Sequence, residues 1–149
     1  MPMQSPAAAS KNLSIIWIAG PALVVAVMYQ VALGHRSDYL GHFAAGFGGT
    51  VIAMMLLLAA FDRVPRALPW LVLAACSASI MFGVLLEATI FRIGRFDEVD
   101  FFNQSLGAVL AALVALRLSA TGSTSTLVLA QGVVAGLVFF AGGFWFAFK

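Results

Sequence analysis

Charge is scarce in this chain: Asp, Glu, Lys and Arg together make up 9% of its 149 residues. Hydrophobic residues reach 62%, against roughly 45–50% in soluble domains, and they fall in long uncharged blocks, so an ordinary solvated surface is excluded. A basic stripe is also missing. The eight Lys and Arg are scattered and the net charge is +2, which gives no reason to expect a nucleic-acid partner. A single cysteine, Cys76, excludes an internal disulfide and leaves the redox compartment open. There is no H-E-x-x-H zinc signature, no G-x-S-x-G nucleophile elbow, no phosphate-binding P-loop and no repeat of fixed period.

What is present is apolar sequence divided by charge. A helix needs roughly 20 residues to cross the hydrocarbon core of a bilayer. Five segments meet or approach that length: Leu13–Leu33, Tyr39–Phe61, Leu68–Phe91, Val99–Leu118 and Leu127–Phe148. In lipid each must be a helix, because an open strand would leave backbone groups unpaired. The connections, "GHRSD", "DRVPRA", "RIGRFDE" and "SATGSTST", are short enough to favour antiparallel neighbours. The expected fold is therefore an all-α integral membrane protein, a compact up-down bundle of five transmembrane helices behind a flexible segment over residues 1–12. The apolar stretch after Lys11 is too long for a signal-peptide core and lacks a cleavage site, so it reads as a retained first span. Gly41/Ala45/Gly49 and Gly132/Gly136 have the spacing that lets helices approach closely. Gln30 and Gln131 read as interhelical hydrogen-bonding groups, and Trp17, Trp70 and Trp145 as interfacial or packing aromatics.

With five spans the termini lie on opposite sides. Lys11, Arg63, Arg66 and Arg117 fall on one face, and Arg36, Arg92, Arg95 and Lys149 on the other, so the count of basic residues does not set orientation. The acids are uneven: Asp62 stands alone on the first face, while Asp38, Glu87, Asp97, Glu98 and Asp100 share the second. On that basis the N-terminus is placed in the cytoplasm and the acidic face outside it.

Two separate connections thus bring rare polar groups to one surface beside spans two, three and four. Asp38 and His42 are four apart, on one helical face, with Gly46 continuing it. Glu87 lies near the end of the third span, with Arg92 a little over one turn later. Asp97, Asp100, Asn103 and Gly107 read as a ridge along one side of the fourth. A carboxylate or amide within a span is costly unless it faces protein or water, which singles out Glu87 and Asn103. Asp38 and Asp97 also suit helix caps.

Three chemistries could use such a cluster. Asp38, His42, Glu87, Asp97 and Asp100 could hold a divalent metal ion. Alternatively, Glu87 or Asp100 could act as a general base with His42, while Arg92 holds a phosphate of a lipid-linked substrate and Asn103 orients a partner. The third option is a buried network that fixes helix packing without turnover.

The series Asp38-x-x-x-His42, Glu87, Arg92 and Asp97-x-x-Asp100-x-x-Asn103-x-x-x-Gly107-Ala108 resembles the VanZ-like family of small bacterial membrane proteins. The "HFAAGF" at the head of the second span is similar to YjdF-type membrane proteins. The likeness runs from about Asp38 to Ala112. It implies a helical cell-envelope protein of the bacterial inner membrane, with its polar residues at the same seven positions from Asp38 to Asn103. A Gln expected shortly after Glu87 is absent; Ala88, Thr89, Ile90 and Phe91 stand there. The expectation is a pocket that binds, and could process, an anionic lipid or lipid-linked envelope precursor. The rival is a non-catalytic subunit of a larger membrane complex or a homo-oligomer, docking through Gly132/Gly136 and "VFFAGGFWFAFK".

Overall fold

The structure, a computed structural model, describes residues 14–61, 66–89, 97–122 and 124–147. They form five helices: α1 (Ser14–Leu33), α2 (Ser37–Phe61), α3 (Leu68–Thr89), α4 (Glu98–Ala120) and α5 (Thr126–Ala147). Each is long and apolar enough to cross a membrane. Local chemistry sets several ends. Asp97 adopts an extended backbone and its carboxylate accepts from the Val99 and Asp100 amides at 2.8 and 3.2 Å, capping α4. At the other end of α4, Gly122 takes the left-handed φ of 63° that a side chain disfavours, and its amide donates back to Ser119.

Helix direction alternates along the chain. Gly41 lies against Gly143 and Ala147, and Gly48 against Gly136, so α2 and α5 run antiparallel. His42 meets Asp100 and, one turn on, Gly46 meets Gln104, so α2 and α4 run parallel. Gly83 of α3 meets Gln104 of α4, and Trp17 near the start of α1 meets Arg117 near the end of α4. The C-terminal ends of α1, α3 and α5 therefore share one end of the bundle with the N-terminal ends of α2 and α4.

Helix α2 is the hub. Phe43, Phe47, Val51, Met54, Met55 and Leu58 are all buried, against Ile18 and Ala22 of α1, Leu68 and Val72 of α3, and Ala111 and Ala115 of α4. Around it the outer helices follow the order α5, α1, α4, α3, and neighbours in that order pack on one another; α3 and α5 scarcely touch. The ring around α2 is thus open at one joint. Several glycine contacts bring backbones together. A Cβ on Gly107 would lie 2.3 Å from the Phe43 carbonyl oxygen, and one on Gly48 2.5 Å from that of Gly136. No side chain fits at those separations.

Several expectations are corrected at this level. Gly41 and Ala45 do face α5, but Gly48 rather than Gly49 continues the seam, since a Cβ on Gly49 would merely touch the Phe140 ring at 3.4 Å. Gly132 and Gly136 turn inward onto Met55 and Gly48, so they are already used within the chain and are not free as a docking face. Gln30 is exposed rather than interhelical. The amide oxygen of Gln131 is buried without a hydrogen-bond partner among the described residues.

The outer surface is apolar. Leu23, Val24, Val27, Met28 and Val31 of α1 are exposed, Val31 by 83%, and Leu73, Leu85, Leu113, Val134 and Val138 do the same on the other outer helices. A helix that is hydrophobic all round has no use for a water-facing side.

Candidate functional site

The open joint between α3 and α5 is a cleft of about 680 Å³. Helix α2 forms its floor, with the first turns of α4 closing one end. Its lining on α2 runs from His42 to Ala53, about 16 Å along the axis at the rise of an α-helix. Most of the wall is small or aromatic: Ala45, Gly46, Gly49, Ala75, Phe82 and Phe140. Ala53, Ala78, Phe82, Phe140 and Phe144 are exposed as well as lining, so the cleft opens sideways on the apolar flank.

Its polar groups gather where α2 and α4 begin and α3 ends. His42 sits one turn into α2 and Asp100 one turn after its α4 cap, and the parallel packing of these helices places His42 Nε2 3.4 Å from Asp100 Oδ2. Both side chains are largely buried, 20% and 15% exposed. Glu87, near the end of α3, lines the same cleft, as does Gln104. Gln104 can lie there because Gly83 has no side chain; a Cβ on Gly83 would fall 2.1 Å from its amide nitrogen. Thr50 and Ser79 add hydroxyls deeper in. The second Asp100 oxygen, Oδ1, is buried without a hydrogen-bond partner among the described residues. Asp38, Asp97 and Glu87 all lie within electrostatic range of Asp100.

The residues singled out in the sequence thus divide. His42, Glu87 and Asp100 share the cleft. Asp38 does not line it: its carboxylate pairs with Arg36 at 2.8 Å, and the Arg36 guanidinium lies 3.9 Å over the Tyr39 ring. The hydrogen bond to Asp38 holds Arg36 protonated still more firmly than usual, against a smaller opposing effect of desolvation. Asp97 is spent on its helix cap. Asn103 is buried on the other side of α4, where Tyr29 Oη donates to its Oδ1 and its Nδ2 has no partner among the described residues. The Tyr29 ring stacks on Phe43 with centroids 5.6 Å apart. Arg92, expected at a phosphate, and Arg95 lie outside the described residues.

The five-residue metal set is therefore corrected. Asp38 and Asp97 are turned to other partners, and among the described residues no group of three or more His, Cys, Asp or Glu is placed to hold a metal ion. The expected ridge from Asp100 through Asn103 to Gly107 is also split. Around a helix Asn103 lies about 60° to one side of Asp100, whereas Gln104 lies about 40° to the other. Gln104 faces the cleft, and Asn103 and Gly107 face the hub. Sequence reasoning missed Gln104, Thr50, Ser79 and Tyr29. The four-residue step from Asp100 to Gln104, and the eight-residue step from His42 to Thr50, were the available signals.

Chemically, the arrangement is a mostly apolar slot with an imidazole, two carboxylates and an amide at one end. An imidazole beside a carboxylate is a pair that can accept and pass on a proton. Compared with known protein families, curated proteins and solved structures, the chain matches none.

Proposed function

We propose that this chain is a multi-pass membrane protein that holds an amphiphile, a membrane lipid or lipid-linked envelope precursor, in the cleft between α3 and α5. The observation that carries this reading is the cleft's polarity. One end presents His42, Glu87, Asp100 and Gln104, while the rest is lined mainly by small and aromatic residues and opens on the apolar flank. Its volume lies within the roughly 300–1,000 Å³ typical of small-molecule sites. Membrane residence is supported by the apolar outer surface and by the tryptophans. Trp17 and Trp70 lie near one end of the bundle and Trp145 near the other, and all three are exposed, as interfacial aromatics would be.

In this reading the headgroup meets His42 and Asp100, which can exchange a proton with it, and the chain lies along α2. The end carrying Arg66 and Arg117 faces the cytoplasm, and the acidic end faces away from it. The VanZ-like spacing of the polar residues supports a place in the bacterial inner membrane and a role in the cell envelope.

The test is photolabelling of membranes that contain the protein with a lipid carrying a photoreactive group in its acyl chain. Label is expected on peptides from α2, α3 and α5 that line the cleft, and Ala53→Trp, which fills it from an exposed position, is expected to remove that label. Labelling spread evenly over all five helices and unchanged by Ala53→Trp would overturn the proposal.

A further inference from the structure

We infer that the cleft selects amphiphiles whose headgroup bears a primary ammonium, held by Asp100, Glu87 and Gln104; the inference rests on the amphiphile reading above. Asp100 supplies the first reason. His42 faces its Oδ2, but Oδ1 is buried without a hydrogen-bond partner among the described residues. Buried polar atoms in folded proteins are almost always paired, so this oxygen calls for a donor. Glu87, on the facing helix, offers a second carboxylate to the same cleft, and Gln104 an amide oxygen.

A primary ammonium brings three N–H donors and no acceptor, which matches those three groups. A quaternary ammonium has the charge without the N–H donors. A phosphate or glycerol phosphate headgroup entering alone would meet like charge from Asp100 and Glu87, with Asp97 also within electrostatic range of Asp100. Arg36 and Asp38 pair at 2.8 Å and largely cancel each other's charge. The apolar slot below accounts for the chains, so an ammonium lipid is the occupant rather than a free amine.

The experiment is native mass spectrometry of the full chain in mild non-ionic detergent, incubated with phosphatidylethanolamine, phosphatidylcholine or phosphatidylglycerol of identical acyl chains. Wild type is expected to retain phosphatidylethanolamine at least about tenfold better than the other two, the order expected for hydrogen bonds to charged groups. Glu87→Gln and Asp100→Asn, each first shown to be monodisperse and helical, are expected to remove the preference while still retaining lipid. Ala53→Trp is expected to remove retention of all three. Glycerophosphoethanolamine, the same headgroup without chains, is expected not to be retained.

Equal retention of the three lipids by wild type, all lost in Ala53→Trp, would overturn the headgroup preference and leave the amphiphile site standing. A preference that persists in both carboxylate variants would also overturn it. Retention indifferent to Ala53→Trp, or retention of the chainless headgroup as strong as that of the lipid, would remove the amphiphile reading as well.

Discussion

Asn103 shows how a buried polar residue acts when it is not part of a cleft. It is 3% exposed, and its one hydrogen bond among the described residues comes from Tyr29 of another helix. Tyr29→Phe would leave the whole amide unpaired, at a cost of about 1–3 kcal/mol. Asn103→Leu removes the need for a partner, so the double variant should be more stable than the sum of the two single changes implies. Thermal unfolding of the four proteins in one detergent measures this coupling; strict additivity would mean that the Tyr29 hydrogen bond contributes nothing. The pairing was not legible in the sequence. Asn103 stood out there as an amide within an apolar run, but Tyr29 lies 74 positions away, and no local spacing connects them. Its neighbour Gln104 was hidden for the opposite reason: beside a more conspicuous Asp100–Asn103 pair, its own four-residue step from Asp100 went unweighed.

At the level of the element, helix α5 carries two adjacent glycines in unlike settings. A Cβ on Gly143 would lie 2.3 Å from the Ala45 backbone nitrogen of α2, whereas one on Gly142 would meet nothing among the described residues within 4 Å. Gly142→Ala should therefore stabilise the protein by about 0.5–1 kcal/mol through helix propensity. Gly143→Ala should destabilise it, because forcing extra volume into a packed seam costs about 1–3 kcal/mol. Opposite shifts in melting temperature for the two variants are expected, and equal shifts would refute the backbone contact.

The five helices themselves could be read from the sequence, since charged or polar connections separate runs of sufficient length and no other regular structure suits such runs in lipid. Their ends fall within a turn of the expected ones wherever the residues are described. Which helix is the hub could not be read. Apolar residues occur on every side of each of them, so hydrophobicity does not distinguish an outward-facing side chain from a core one. The small residues of α2 were the remaining clue, and the choice between Gly48 and Gly49 depended on rotation about the helix axis that spacing alone does not fix.

For the molecule as a whole, the distribution of polar groups defines an axis. Asp38, Glu87, Asp97, Glu98 and Asp100 lie toward one end, where Arg36 pairs with Asp38, and Arg66 and Arg117 lie toward the other, where the Arg117 guanidinium rests 3.8 Å from the Trp17 ring centroid. Trp17, Trp70 and Trp145 are 47%, 73% and 68% exposed. In vesicles, their fluorescence should be quenched strongly by lipids brominated on the upper acyl chain and weakly by aqueous acrylamide. The reverse order would argue against the membrane reading.

The hub also has a consequence for biosynthesis. Residues 37–61 are translated well before residues 126–147, so the groove formed by Gly41, Ala45 and Gly48 waits through the synthesis of the two intervening helices for the segment that fills it. A nascent chain halted before Thr126 would display that groove unfilled, so the hub is completed only when α5 arrives.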